Sequence, residues 1–98
     1  MIKVVKNENK ITIHGHACYA DYGKDIVCAS VSSIVITTIN GILEIDRDAL
    51  KYEQKKDQLT IEILKNDQVI IKLIQNMMNL LKELSSNYPK NIEIREDE

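Results

Sequence analysis

The sequence predicts an α+β fold in a single small domain, with one mostly antiparallel sheet and two helices in the order ββαββαβ. Two stretches of alternating apolar and polar residues have the pattern of β-hairpins. Two longer stretches have the pattern of helices, one apolar on most of its surface and one amphipathic. With 98 residues the chain is long enough for one hydrophobic core and too short for two, so residues 1–98 are expected to form one domain.

The first hairpin is expected at the start of the chain. Ile2 and Val4 alternate with polar neighbours, as do Ile11 and Ile13, and the polar residues 7–9 lie between the two stretches. This is the pattern of two strands joined by a tight turn.

A first helix is expected from Asp25, a favourable N-cap, to about Leu43. Residues 26–43 carry no charge and are about long enough to cross a bilayer, but seven of them are serine, threonine, asparagine or glycine. A buried helix of a soluble protein fits better. Its wide apolar surface needs cover from the second helix or from another subunit, so we expect a homodimer and no membrane contact.

The second half of the chain repeats the hairpin and helix. Apolar residues alternate on both sides of the polar residues 55–57, namely Leu50, Tyr52, Leu59, Ile61 and Ile63. An amphipathic helix follows, with Asp67 as its N-cap and Pro89 as its stop signal. Ile92 and Ile94 are expected to form a last short strand.

Composition and charge exclude several classes of function. Thirteen basic and fifteen acidic residues leave a net charge of −2, without the basic excess that nucleic-acid binding uses. The chain opens on a strand-like pattern rather than a secretory signal, which favours the cytoplasm. In that reducing compartment, cysteine thiols are more often catalytic, metal-bound or simply reduced than joined in a disulfide.

Cys28 and His16 carry the chemistry that the sequence suggests. With Asp25 as the N-cap, Cys28 is the third helical residue, where unpaired backbone N–H groups and the helix dipole favour a thiolate. His16 lies one loop upstream, near enough along the chain for a Cys–His dyad. On cysteine statistics alone, a small apolar residue in a buried helix is the better explanation of Cys28.

The surrounding sequence reverses that preference. It contains Gly-His-Ala at residues 15–17, a loop with Gly23, Asp-Ile-Val-Cys at residues 25–28, and Ser32 four residues after the cysteine. This combination resembles the ribosomal-processing cysteine protease family called Prp, and the resemblance covers the whole chain.

The resemblance implies a small bacterial endopeptidase of α/β fold that forms homodimers and needs no cofactor. Members of the family remove the short N-terminal extension of a large-subunit ribosomal protein, number twenty-seven, cutting after an aromatic residue. By that similarity Cys28 is the nucleophile and His16 the catalytic histidine. Asp25 and Ser32 also match the pattern. We interpret Asp25 as a helix cap and Ser32 as a packing residue one helical turn beyond Cys28.

The expected reaction is acyl transfer from the peptide to Cys28 and then to water, with His16 protonating the leaving amine. Backbone N–H groups of Val27 and Cys28 are expected to bind the oxyanion. A third catalytic residue is not specified by the sequence; Asp21 or Asp25 is the nearest candidate, and a dyad fits equally well.

The loop of residues 17–24 is expected to close over an extended peptide as a flap, with Gly23 allowing the motion. Tyr19 and Tyr22 either contact the substrate or anchor the loop. Strict alternation from Ile13 turns the side chain of residue 16 away from the helices, so we expect a bulge at the preceding glycine.

Two rival functions use some of the same residues. His14, His16, Cys18 and Cys28 are chemically suitable as zinc ligands, although their spacing lacks the second pair that structural zinc sites have. The other alternative is a non-catalytic ribosome-assembly or regulatory module that binds a peptide at the exposed sheet edge or at the loop.

Overall fold

The chain folds as two helices on one five-stranded sheet. The computed structural model describes residues 1–15 and 22–97, and for residues 22–25 it describes the backbone alone. The order ββαββαβ is the predicted one. The elements are β1 (Ile2–Asn7), β2 (Lys10–His14), α1 (Tyr22–Ile45), β3 (Leu50–Lys55), β4 (Gln58–Ile63), α2 (Gln68–Asn87) and β5 (Ile92–Asp97).

The sheet is mixed and has the strand order β3-β4-β2-β1-β5. The pairs β1–β2, β2–β4 and β3–β4 are antiparallel, and β1–β5 is parallel. The prediction of a mostly antiparallel sheet is confirmed. The parallel pair arises because α2 carries the chain from β4 across to the far side of β1, where β5 then runs in the direction of β1.

Both predicted hairpins are present with two-residue turns, at residues 8–9 and 56–57. Their registers align one row of side chains across the sheet. Ile13 of β2 lies opposite Val4 of β1 and Leu59 of β4, and Leu59 lies opposite Gln54 of β3. Directly opposed residues share a face of a sheet, so these four side chains form what we call the Ile13 row.

The hydrophobic core lies between this face and the helices. The sheet contributes Ile2, Val4, Ile11, Ile13, Ile61 and Ile92 to it; α1 contributes Val27, Val31, Val35, Ile39 and Ile42; and α2 contributes Ile70, Ile74, Met77, Met78 and Leu81. The other face carries polar residues such as Lys3, Thr12 and Glu62. Within the described residues the result is a two-layer structure with both helices on one side of the sheet.

The predicted limits of α2 are confirmed. The Asp67 carboxylate accepts hydrogen bonds from the backbone N–H groups of Val69 and Ile70 at 2.8 and 3.2 Å, which makes it the N-cap. Tyr88 is the C-cap, and Pro89 follows it.

The predicted start of α1 is wrong. The helix begins at Tyr22, so Asp25 is its fourth residue and not its N-cap. An aspartate is favourable at both positions, because it caps a helix from outside and complements the positive end of the dipole from within the first turn. The residue type therefore does not distinguish the two starts.

The apolar character of α1 is unusual. Its stretch Ile26–Ile45 is long and apolar enough, by length and composition alone, to cross a membrane, a test that core helices of soluble proteins also pass. Two of its hydroxyl groups are hydrogen-bonded within the helix itself. Ser30 and Thr38 each donate a hydrogen bond of 2.8 Å to the carbonyl four residues earlier, of Ile26 and Ile34.

Candidate active site

A groove containing Cys28 runs between α1 and the β3 side of the sheet, and we call it the Cys28 groove. Its volume is about 160 Å³. The lining residues are Ile13, Cys28, Val31, Ser32, Val35, Ile36, Gln54 and Leu59. Three of them belong to the Ile13 row, so the floor of the groove extends from β2 to the edge strand β3.

Cys28 lies in the wall of this groove and is 7% exposed. It is the seventh residue of α1 rather than the third, because the helix begins at Tyr22. That places it about 9 Å along the axis from the helix start. Unpaired N–H groups and the dipole effect are confined to the first turn. The predictions that the helix start activates Cys28, and that the N–H groups of Val27 and Cys28 bind the oxyanion, are therefore wrong.

The topology brings the end of β2 close to the beginning of α1. β2 ends at His14, opposite Gln58 next to the β3–β4 turn. β3 starts at the other end of the sheet, where Leu50 pairs with Ile63. Because α1 must carry the chain between these two ends, its first turns, including Cys28, lie nearer the end where β2 stops.

Gly15, the residue before His16, ends the strand geometry. Its φ is +72°, and a Cβ built on it would lie 2.5 Å from the carbonyl oxygen of Met1, so only glycine fits. Its N–H donates a hydrogen bond of 3.3 Å to the carbonyl of Asp57. The ladder is regular up to His14, so the break is a left-handed residue after the strand and not a bulge within it. His16 lies outside the described residues, and the dyad stays a prediction.

The remaining predicted site residues are placed as follows. Ser32 lines the groove one turn beyond Cys28, but it is exposed rather than packed. Tyr22, Gly23 and Lys24 are the first three residues of α1, so they belong to the helix and not to a flap. Residues 17–21, which make up the rest of the predicted flap, lie outside the described residues.

The zinc hypothesis fails on two of its four ligands. His14 follows Ile13 on β2, so its side chain is on the polar face of the sheet, whereas Cys28 is on the helix side. One ion cannot bind both. His16 and Cys18 lie outside the described residues, and no metal-binding group of three His, Cys, Asp or Glu occurs among the residues that the structure describes.

Sequence reasoning missed Gln54. Leu50 and Tyr52 are on the apolar side of β3, and the two-residue alternation puts Gln54 on that side as well. A polar residue in the apolar phase of a strand was the available signal. In the structure Gln54 and Ser32 supply hydrogen-bonding side chains to a groove whose other lining residues are Cys28 and aliphatic side chains.

The fold and the groove together define a class of protein. A thiol in the wall of an apolar groove, next to an edge strand that can bind extended backbone, suits acyl transfer from a peptide. These are the features of a small α+β cysteine peptidase.

Comparison with known proteins identifies the particular family. A family model described as cysteine protease Prp matches residues 1–93, so this chain belongs to the Prp family of cysteine proteases. The ribosomal processing cysteine protease Prp of Mycoplasma pneumoniae is 32% identical over 90 residues, which are 92% of this chain and 89% of that protein.

Two crystal structures of Prp from Staphylococcus aureus share the fold. The complex with a substrate peptide matches with a TM-score of 0.84 at 20% identity, and the complex with a covalently linked product peptide with 0.83 at 21%. Each match covers 98% of this chain and 97% of the other. The family resemblance seen in the sequence is confirmed, and the chain is a cysteine protease rather than a purely non-catalytic module.

Proposed function

We propose that this protease removes the N-terminal extension of large-subunit ribosomal protein number twenty-seven, using Cys28 as nucleophile and His16 as general acid and base. The observation that carries the proposal is the position of Cys28 in the wall of an apolar groove. The relative from M. pneumoniae is a ribosomal processing protease, and the S. aureus enzyme has been crystallised with a covalently linked product peptide. The first fact supports a ribosomal protein as substrate, and the second supports a covalent intermediate, which we assign to Cys28.

The proposed reaction has two steps. In the first, the Cys28 thiol passes its proton to His16, and the sulfur attacks the carbonyl carbon of the scissile bond. The C–N bond then breaks, His16 gives the proton to the leaving amine, and a thioester remains on Cys28. In the second step His16 takes a proton from water and the hydroxide attacks the thioester carbonyl. The C–S bond then breaks, the carboxylic acid product leaves, and His16 returns the proton to the sulfur of Cys28.

We expect the His16 imidazole to contribute more to forming the thiolate than the sequence suggested. Cys28 is two turns into α1, beyond the reach of the helix N-terminus. The remaining means of forming a thiolate is a neighbouring cation or base, and His16 is the candidate for both roles. The oxyanion donors must also come from outside the middle of α1, since backbone N–H groups there are bonded within the helix.

The proposed dimer rests on apolar surface shared by the helices. Ile26 of α1 is 60% exposed and Leu80 of α2 is 40% exposed, and both line a second, open groove between the helices. A second copy of the chain would cover this surface.

We expect Ile26→Glu to shift the sedimentation coefficient from dimer to monomer. The control is Ile45→Glu, at the far end of α1, where the side chain is 59% exposed. Equal sedimentation of the two variants would contradict this dimer.

The proposed compartment is the cytoplasm, because the proposed substrate is a ribosomal protein. Fractionation of cells expressing the tagged chain tests this directly. Recovery in the membrane fraction would instead favour insertion of α1, whose stretch Ile26–Ile45 has sufficient length and hydropathy.

The decisive experiment is incubation of the extended ribosomal protein with the enzyme, followed by intact mass measurement of the products. The wild type should release one short N-terminal peptide. Cys28→Ala and His16→Ala should each lower the rate by roughly a thousandfold or more, because the members of a catalytic unit are lost together.

Two controls separate chemistry from folding. Circular dichroism should be the same for all variants. In a Cys18→Ala background, iodoacetamide should add one alkyl group, and Cys28→Ala should abolish that addition. An unaltered ribosomal protein after long exposure to folded wild type, or full cleavage by Cys28→Ala, would refute the proposed function.

A further inference from the structure

The outer edge of β3 has backbone groups directed away from the sheet. β3 is an edge strand, and no described strand lies beyond it. The N–H of Leu64 donates to the carbonyl of Ala49 at 2.7 Å, and Ala49 is the residue before β3. In an antiparallel pair the bonded residues alternate, so the odd-numbered residues of β3 bond to β4. Tyr52 and Gln54 therefore direct their N–H and C=O groups outward.

A second hydrogen bond supports this assignment. The N–H of Ile63 on β4 donates to the carbonyl of Asn9 at 2.8 Å, toward the β2 side. The odd residues of β4 thus bond toward β2 and its even residues toward β3. In the register of the two strands, even residues of β4 face odd residues of β3. Both hydrogen bonds therefore indicate that the even-numbered residues of β3 direct their backbone N–H and C=O groups away from the sheet.

The side chains of the outward-bonding residues are on the helix side of the sheet. Gln54 lines the Cys28 groove, and Tyr52, one step along the same face, is 49% exposed. Ser32 and Ile36 of α1 are exposed on the opposite wall of the groove. The edge and the groove are therefore parts of one continuous surface.

We infer that the substrate peptide binds as an additional strand on the outer edge of β3, hydrogen-bonded to the backbone of Tyr52 and Gln54. A strand added there lies about 4.8 Å from β3, and every second side chain points to the helix face. Those side chains enter the Cys28 groove. A cavity of roughly 150 Å³ holds one aromatic ring, and the groove of about 160 Å³ has room for one large apolar side chain.

The occupant is a peptide because the chain is a cysteine protease and its groove contains the cysteine. The inference rests on the proposed function to the extent that it takes Cys28 as the nucleophile. It adds a substrate class: extended segments with an apolar residue at every second position, at least next to the scissile bond. Segments that are helical or contain proline near the cut should be poor substrates, because they cannot supply the backbone groups.

The test uses proline to remove one outward N–H at a time. Gln54→Pro and Tyr52→Pro take away a donor that faces solvent on an edge strand, a position where proline is tolerated. Gln54→Ala removes the same side chain but keeps the N–H and is the matched control. With a synthetic peptide of the ribosomal extension, each proline variant should lower kcat/KM by about three- to tenfold, mainly through KM. Gln54→Ala should change kcat/KM less.

A backbone scan of the substrate gives an independent measurement. Peptides with one N-methylated amide each should lose cleavage at alternate positions only, because a strand bonds to its neighbour through every second residue. Iodoacetamide labelling of Cys28 should keep its wild-type rate in both proline variants, which shows that fold and nucleophile are intact.

Three outcomes would overturn the inference. The first is normal kcat/KM in both proline variants, and the second is sensitivity to N-methylation without a two-residue period. The third is a change from dimer to monomer in the proline variants, which would assign the edge to a second copy of the chain. If the wild type leaves the ribosomal peptide intact, the proposed substrate is wrong; the same scan on the peptide that it cuts fastest from a proteome-derived library then decides the question of strand addition.

Discussion

The two edges of the sheet are covered to different degrees. At the β5 edge, α2 packs on the strand, and Lys82 of α2 forms an ion pair of 2.7 Å with Glu96 of β5. At the β3 edge, Tyr52 and Gln54 are exposed on the helix side, and the cover ends at the Cys28 groove. The helix side of the β5 edge is therefore closed by packing, whereas the helix side of the β3 edge is left open beside the thiol.

The two helices also differ in how much of their apolar surface is buried. α2 has one buried stripe, an N-cap and a C-cap, and an outer surface that is polar apart from the exposed side chains of Val69, Ile71 and Leu80. α1 is apolar nearly throughout, and its exposed residues include Ile26 and Ile36. A helix whose apolar side chains are mostly buried in the core has little apolar surface left for another molecule. A helix with many exposed apolar side chains has surface that can bind a substrate or a partner. We therefore expect stability to depend mainly on α2 and activity on the α1–β3 side.

The largest expected effect on stability comes from the closed side. Met77 of α2 is 0% exposed, so Met77→Ala leaves a cavity and should lower the free energy of unfolding by about 3 kcal/mol. Ile36→Ala is the counterpart in the groove wall, where the side chain is 41% exposed. It should change stability by less than about 0.5 kcal/mol yet raise KM. Urea unfolding and peptide cleavage measure both; equal losses of stability would remove the contrast.

The next effect concerns Gly15, the residue before the proposed catalytic histidine. Gly15→Ala places a Cβ against the Met1 carbonyl at a positive φ, so it should destabilise by about 2 kcal/mol and lower kcat/KM. Gly41→Ala is the control, since a Cβ there meets nothing within 4 Å and alanine is the better helix former. Thermal unfolding should show opposite shifts for the two variants. The same sign for both would contradict the strained-turn explanation.

A smaller effect is expected at the start of α2. Asp67→Ala removes the acceptor for two backbone N–H groups and should lower the free energy of unfolding by about 1 kcal/mol. Asp67→Asn, which keeps an acceptor, should lose less. Neither variant should change kcat/KM when activity is measured well below the melting temperature. A loss of activity would mean that the closed side also supports the site.

The smallest effect is electrostatic and lies at the far end of α1. The hydrogen bond from Lys65 to Asp46, at 2.7 Å, lowers the pKa of that carboxyl and raises the pKa of the lysine. A lowered carboxyl pKa stabilises the fold above the ordinary value of 3.8, and this stabilisation is lost as the pH falls through the folded-state pKa. The lysine contribution is fully present below 10.5 and is lost as the pH rises through its raised pKa.

The stability difference between wild type and Asp46→Asn should therefore be small and constant near neutral pH. It should decrease when the pH falls below 3.8. Both side chains are substantially exposed, so salt should reduce the difference as well. Melting temperatures across a pH series measure it. A difference that grows in acid would contradict this assignment.

The sequence alone determined the order of the elements and the protease family. The hairpins, the Asp67 cap and the stop at Pro89 were predictable, because alternation, capping and proline act through neighbouring residues. The motif around Cys28 led to the right protease family for a different reason, since it is a property of related sequences rather than of local energetics.

The tertiary structure decided where those pieces meet. Strand order and the parallel β1–β5 pair depend on packing between distant segments, as does the entry of Gln54 into the groove. The start of α1 at Tyr22 moved Cys28 away from the helix end, although Asp25 is an equally good residue for either start. Local free energies near such a choice differ by about 1 kcal/mol, so long-range contacts determine the outcome.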